Sequence, residues 1–333
     1  MRRLAMIAMA LGFLLYLGCA TGGSDVETET GERRFEIEDE RGFSRELGPA
    51  EIAYQSAMQF LASGNYQDAI ENLKRATMLK PTYLEAWSEL GKAYTTTKNH
   101  EAGIQAFEKA LELSPDNDAL LASIGYNYLY LERWDEAERY YEKLIEKDSL
   151  SYDGNVHLGF IYQKRGDNDT AIRFYKLVLK RRPDDATTMG TLASLYGKKG
   201  DEETRLEYLQ RAIEAAPDNY KFKTQLGSAY LKLKEYEKAV PVFEDLVERF
   251  PEVAAYQQNL GLVLSQTDRK AEAPAALEKA IEIKGDDPYI FAVLSQIYNE
   301  LNQPNKAIET VQRGLQLGEG QGAFLHYQWG VAL

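Results

Sequence analysis

Residues 84–117 read LEAWSELGKAYTTTKNHEAGIQAFEKALELSPDN, and this stretch of 34 residues decides the fold. Its apolar residues recur at spacings of three and four in two blocks, which predicts two helices that each bury one face. Lys98 and Asn99 interrupt the pattern at a tight turn, and Pro115 ends the second helix. Asn117 is placed to cap the next helix with its side-chain oxygen. The stretch therefore predicts a helical hairpin.

The pattern recurs seven more times, with no insertion or deletion between Ala50 and Gln321. Residues separated by multiples of 34 share what we call a register position. The position of Gly91 is small in every copy, with Ala57, Gly125, Gly159, Ala193, Gly227, Gly261 and Ser295. The position of Tyr94 is aromatic in all copies but one, with Phe60, Tyr128, Tyr162, Tyr196, Tyr230, Leu264 and Tyr298. The eight repeats are 50–83, 84–117, 118–151, 152–185, 186–219, 220–253, 254–287 and 288–321.

At these positions the chain resembles the tetratricopeptide repeat family. The resemblance implies an all-α fold, a right-handed α-α superhelix (solenoid) of about eight 34-residue helix-turn-helix repeats with a groove lined by the first helices. The chain departs from the pattern at Arg205, which is large where other copies have Gly or Ala. It also departs at Asn155 and Lys223, which replace an aromatic or apolar residue. We expect looser packing at these three places.

The N-terminal segment 1–19 is predicted to be a signal peptide. Arg2 and Arg3 precede an apolar run over 4–18, too short for a membrane span of ~20 residues. The only cysteine, Cys19, follows this run, and this lipobox-like end resembles a bacterial lipoprotein signal with lipidation at Cys19. The alternative is ordinary cleavage after Ala20. Because the residue after Cys19 is not Asp, the resemblance implies the periplasmic face of the outer membrane; the alternative is a soluble periplasmic or secreted protein.

The two segments that flank the repeats have different compositions. Residues 20–49 are rich in Gly, Ser, Thr and Glu, which predicts an acidic disordered tether, and Pro49 is expected to start the first helix. Residues 322–333 restart a first-helix pattern without a second helix. They are interpreted as a capping helix or a truncated ninth repeat, and the alternative is a segment that docks a partner.

Several functional classes are excluded by composition and length. The net charge of −13 argues against nucleic-acid binding, which requires a basic face. The three histidines fall in different repeats at unrelated positions, so no metal site is expected, and no cofactor motif is present. The flanking segments are too short to house a catalytic domain of at least ~50 residues. The chain is therefore not expected to be an enzyme.

The family resemblance places binding residues on the inner face of the first helices. An aromatic cluster is expected there from Tyr126, Tyr130 and Phe160. A basic ladder is expected from Lys164, Lys198 and Lys232, which share one register position. Together they would suit an extended or helical segment that carries Asp or Glu. The alternative is that the lysine stems cover apolar surface and the aromatic rings pack against neighbours.

These features predict a scaffold of the bacterial cell envelope that binds a protein or peptide and assists assembly of a pilus, secretion or other outer-membrane complex. The membrane contact would be the lipid anchor at Cys19. One alternative is a carrier or sensor whose groove binds a glycan or small ligand. Another is an accessory subunit that activates a docked envelope enzyme. The sequence leaves the partner and the oligomeric state open.

Overall fold

The computed structural model describes residues 24–27, 33–38, 44–285 and 287–317. The predicted signal peptide with Cys19 and the C-terminal segment 322–333 lie outside these residues. The first described elements are three short antiparallel strands, β1 (Ser24–Glu27), β2 (Arg33–Glu38) and β3 (Ser44–Glu46), in the order β1-β2-β3.

The structure therefore departs in part from the disordered tether predicted over 20–49. The physical reason is visible in the sequence of β2, where Phe35 and Ile37 alternate with charged residues. Alternation with a period of two is typical of a strand, and composition alone does not show it because composition ignores the order of the residues.

Sixteen α-helices follow within the described residues. The first helices of the eight repeats are α1 (Pro49–Ala62), α3 (Leu84–Thr96), α5 (Asp118–Tyr130), α7 (Tyr152–Lys164), α9 (Ala186–Lys199), α11 (Tyr220–Lys232), α13 (Ala254–Leu264) and α15 (Pro288–Glu300). The second helices are α2 (Tyr66–Leu79), α4 (His100–Leu113), α6 (Trp134–Lys147), α8 (Asn168–Arg181), α10 (Glu202–Ala215), α12 (Tyr236–Arg249), α14 (Ala273–Ile283) and α16 (Pro304–Leu315). The all-α class built from repeated helix pairs is confirmed.

The helix termini follow the predicted signals. Pro49 is the first residue of α1, as expected. The side-chain oxygen of Asn117 accepts hydrogen bonds from the backbone N–H groups of Ala119 and Leu120 at 3.0 and 3.2 Å, so the predicted cap of α5 forms. The turn at Lys98 has a φ of 61°, a left-handed conformation that glycine adopts more readily than lysine.

The chain divides into two compact units, Met1–Ile161 and Tyr162–Leu333. In the first unit, one buried cluster joins apolar residues of α1 to α4, among them Ala57, Leu73 and Leu90. In the second unit, a single buried cluster extends from Ala171 to Val311. Each core is thus a row of contacts between successive helices.

The small residue on each first helix is explained by a large residue on the following second helix. A Cβ atom placed on Gly91 would lie 2.7 Å from the ring of Phe107, and one placed on Gly227 would lie 2.8 Å from the ring of Phe243. Real Cβ atoms essentially never approach another heavy atom below 3.0 Å. The first helix therefore needs glycine at these contacts.

At Asn155 and Lys223, where looser packing is expected from the sequence, the structure has specific hydrogen bonds. Asn155 is fully buried, and its Nδ2 donates to the backbone oxygen of Ser149, six residues earlier, at 3.0 Å. Trp87 Nε1 makes the same bond to Pro81 O at 2.8 Å at this register position. Lys223 instead bonds Asp245 Oδ2 at 2.6 Å. The polar substitutes are held by hydrogen bonds in place of apolar contact.

Arg205 is accommodated by a compensating change on the preceding helix. The Cδ atom of Arg205 occupies space beside Gly197, where a Cβ atom would approach it to 2.9 Å. Its guanidinium pairs with Glu202 at 3.0 Å. The oversized side chain thus lies where a neighbouring residue has no side chain.

Candidate functional site

The pocket best placed for binding in the first unit opens across three successive first helices, α3, α5 and α7. Its volume is about 380 Å³. We call it the first-helix pocket. Its lining residues are Lys92, Thr95, Thr96, Phe107, Ala122, Ser123, Tyr126, Asn127, Asp153 and His157.

One wall of the first-helix pocket is built around a buried amide. Asn127 is fully buried, and its Nδ2 donates to the backbone oxygen of Ser123 at 2.8 Å. This orientation leaves Oδ1 as an acceptor, 3.0 Å from Thr95 Oγ1 and 2.9 Å from His100 Nδ1. Because Oδ1 can only accept, His100 Nδ1 carries the proton. The network ties α3, α4 and α5 together beneath the pocket.

Two of the three predicted aromatic residues lie together beside this network. Tyr126 and Tyr130 are 38% and 60% exposed, and their ring centroids are 4.8 Å apart. A hydrogen bond with Tyr130, followed by burial, raises the pKa of Tyr126. His100 stacks on Tyr130 with centroids 4.8 Å apart. The two tyrosines form an exposed aromatic surface at the pocket rim.

The third predicted aromatic residue, Phe160, pairs with Trp134 at the start of α6, with ring centroids 6.1 Å apart. It is half-buried on α7. Its assignment to one cluster with the two tyrosines stays a prediction.

The three predicted ladder lysines lie in the second unit, at the C-terminal ends of α7, α9 and α11. All three are exposed. Lys232 Nζ lies 2.6 Å from Glu202 Oε1, and Glu202 also accepts from Arg205. Burial acts to raise the pKa of Glu202, but the hydrogen bonds from Lys232 and Arg205 outweigh it and lower that pKa. Lys232 therefore has a structural contact, and the binding role of the ladder stays a prediction.

Sequence reasoning missed four residues, Asn127, Asp153 and His157 in the lining of the first-helix pocket and Tyr141 behind it. Asp153 is exposed on the first turn of α7 and forms no ion pair in the described part of the chain. His157 donates from Nδ1 to the backbone oxygen of Asp153 at 2.8 Å, and its ring stacks on Tyr141 at 4.5 Å. Tyr141 is fully buried. A signal existed at Tyr141, because its register position holds phenylalanine in repeats two and six.

Asn127 also had a signal. The same register position holds Ala, Ile, Leu or Val in repeats two and four to eight and Gln59 in repeat one, so Asn127 is a polar residue at a position that is apolar in six of the eight repeats.

The described residues contain no group of three or more His, Cys, Asp or Glu side chains that could hold a metal ion. None of the helices in the described ranges combines the length and apolar character that a membrane crossing requires.

Comparison with known proteins identifies the repeat. Tetratricopeptide repeat profiles match residues 54–118, 123–186 and 224–288, more than half of the chain, and a further profile of the same description matches 186–219. No curated protein sequence matches the chain.

Several solved structures are similar to this chain. The C-terminal part of a TPR repeat-containing protein from Cytophaga hutchinsonii is 20% identical, with a TM-score of 0.60, over 72% of this chain and 98% of that one. YrrB, described as a TPR protein with an unusual peptide-binding site, is 18% identical, with a TM-score of 0.50, over 56% and 97%. MamA from Desulfovibrio magneticus RS-1 is 19% identical, with a TM-score of 0.47, over 52% and 97%. At these identities the similarity concerns the fold alone.

Proposed function

Because the chain belongs to the tetratricopeptide repeat family, we propose that it is a non-enzymatic scaffold that binds another protein, or a peptide segment of it, on its first helices. The observation that carries this proposal is the first-helix pocket, with Tyr126 and Tyr130 exposed at its rim. Large aromatic side chains that remain accessible beside a pocket are typical anchors of protein interfaces.

We further propose that the scaffold acts in the bacterial cell envelope. The support is the basic start, the short apolar run and Cys19 in the N-terminal sequence. A lipid on Cys19 would anchor the chain at the periplasmic face of the outer membrane, where the partner would be another envelope protein. Assistance in assembling a pilus, secretion or other outer-membrane complex is the role we favour, by analogy of layout.

The test compares three forms of the full chain in the native host by crosslinking and recovery from membranes. Tyr126→Ala/Tyr130→Ala removes both accessible rings from the pocket rim. Tyr289→Ala is the matched control, because Tyr289 is also 52% exposed on a first helix but belongs to the second unit.

The wild type and the control are expected to capture the same partner, and the double variant is expected to lose it. Full capture by a folded double variant would place the interface elsewhere and overturn the proposal.

A further inference from the structure

The first-helix pocket has one charge that the described residues do not compensate. Lys92 at its edge is paired with Glu89, with 2.7 Å between Nζ and Oε1. The carboxylate of Asp153, on the opposite side, forms no ion pair within the described ranges. The local balance is therefore negative, and the charge is accessible because Asp153 is exposed.

A second acceptor is presented by His157. Its Nδ1 lies 2.8 Å from the backbone oxygen of Asp153, which can only accept, so Nδ1 carries the proton of the neutral ring. The other ring nitrogen, Nε2, is then a lone-pair acceptor. The ring is held in place by its parallel stacking on Tyr141, at 4.5 Å and 3°.

Behind His157, the buried hydroxyl of Tyr141 has no hydrogen-bond partner among the residues that the structure describes. Its ring end lies against α5, where a Cβ atom on Gly125 would approach Cζ to 2.8 Å. Burial, then the charge of Asp153 and the proximity of Tyr126, raises the pKa of Tyr141. Both of these neighbours line the pocket.

The orphan hydroxyl is not a property of the register position. In the next repeat the equivalent Tyr175 lies 3.2 Å from Gln163 Oε1, and in repeats two and six the ring is phenylalanine. A buried polar group without a partner is unfavourable, and most native proteins avoid it. Tyr141 is thus a buried tyrosine without a partner, beside the Asp153 and His157 side of the pocket.

The two polar groups that the pocket presents share one chemistry, because the carboxylate of Asp153 and the Nε2 lone pair of His157 both accept hydrogen bonds. The adjacent faces of Tyr126 and Tyr130 attract cations. We propose that the first-helix pocket binds a Lys or Arg side chain of the partner, with Asp153 as its counter-ion. This inference rests on the proposed function and adds the chemistry of the partner's anchoring residue.

A second pocket in the chain has different lining residues and can be compared with the first-helix pocket. It has a volume of about 340 Å³ and opens across α11, α13 and α15, all in the second unit. Its lining residues share register positions with those of the first-helix pocket, four repeats later. Tyr289 corresponds to Asp153, Val293 to His157 and Leu262 to Tyr126. Its one acid, Glu300, is paired with Lys270 at 2.6 Å. The cation-binding set is therefore absent from this second pocket.

The test uses four synthetic nonapeptide pools that differ only in their central residue, which is Arg, Lys, Gln or Glu. The other positions are mixtures of uncharged residues. Retention of each pool on the immobilised full chain is measured for the wild type, Asp153→Asn and Asp116→Asn. Asp116→Asn is the matched control, because it makes the same charge change at an exposed aspartate that does not line the pocket.

The wild type and the control are expected to retain the Arg and Lys pools about fivefold or more over the Gln pool. Asp153→Asn is expected to reduce that preference to about twofold or less, on the same grounds. Equal retention of all pools by the wild type, or a preference that survives Asp153→Asn, would overturn the inference.

Failure here is distinguishable from failure of the proposed function. If Tyr126→Ala/Tyr130→Ala loses the membrane partner while the pools show no basic preference, the interface stands and the cation assignment falls. If that double variant keeps the partner, the interface itself is wrongly placed.

Discussion

Replacing Gly91 with alanine tests the contact on which the helix stack depends. The new Cβ would lie 2.7 Å from two ring atoms of Phe107, whereas ordinary contacts begin at 3.4 Å. The ring is only 2% exposed, so it must retreat by more than half an ångström into packed surroundings. Overpacking of this kind costs about 1–3 kcal/mol of stability. The higher helix propensity of alanine relative to glycine stabilises the protein by at most about 1 kcal/mol. We expect a net loss of about 1–2 kcal/mol in the free energy of unfolding.

A second substitution shows whether this loss comes from the proposed contact. Phe107→Leu shortens the side chain that Gly91 faces, and alone it should cost about 1 kcal/mol through the space it leaves. Ala193 and Leu209 occupy the same two register positions in repeat five, so the double variant recreates a pair that the chain already uses. Its total cost should fall short of the sum of the two single costs by about 1 kcal/mol or more.

The assay is guanidinium unfolding of the wild type, both single variants and the double variant, followed by helical circular dichroism. The free energies can be compared only if the free energy of unfolding falls with the same slope against denaturant concentration in all four proteins. A Gly91→Ala protein as stable as the wild type, or additive costs in the double variant, would show that α3 and α4 do not meet at this contact.

Three further predictions concern the site, the ladder and the core. Asn127→Leu should lower the free energy of unfolding by about 1 kcal/mol or more, measured by the same titration, because it leaves the half-buried Nδ1–H of His100 without its acceptor. Reversing Lys164, Lys198 and Lys232 together to Glu should weaken capture of the membrane partner about tenfold if the ladder binds it, and unchanged capture would remove the ladder from the interface. Burial raises the pKa of Tyr175 to about 12 from 10.0, so the wild type should lose up to roughly 2 kcal/mol of stability between pH 10 and 12. The direction follows because the unfolded chain ionises first, and Tyr175→Phe should show a smaller loss over that range.

The helical hairpins could be predicted because their determinants are local and repeated. The turn at Lys98, the stop at Pro115 and the cap at Asn117 each act within a few residues, and the structure has α3 and α4 between them. Their agreement over eight copies left little freedom for another fold.

The accommodation of Arg205 could not be predicted from its own register position. The position shows only that an arginine stands where alanine or glycine is usual. The space for it is made on the preceding helix by Gly197, at a different register position. Compensation of this kind depends on which side chains meet across helices, and a single sequence does not state those pairs.

Trp87 and Asn155 illustrate a second reason for incomplete prediction. By hydropathy the two residues are opposites, which led to the expectation of loose packing. By geometry both place an N–H donor within reach of the carbonyl six residues earlier. The bond, rather than the apolar contact, is the property that the two repeats share, and hydropathy scales do not report it.

Two polar side chains at mainly apolar register positions lie close to the first-helix pocket, and this supports assigning function to the pocket. Asn127 puts a buried amide where six other repeats have aliphatic residues, and Tyr141 adds a hydroxyl where repeats two and six have phenylalanine. The amide finds its partners, but the hydroxyl has none in the described part of the chain. If stability alone were selected, we would expect apolar side chains in place of Asn127 and Tyr141, since aliphatic and phenyl side chains fit the same register positions in other repeats. The two residues lie next to the uncompensated charge of Asp153. A binding site that uses polar contacts would account for all three in an otherwise regular repeat protein.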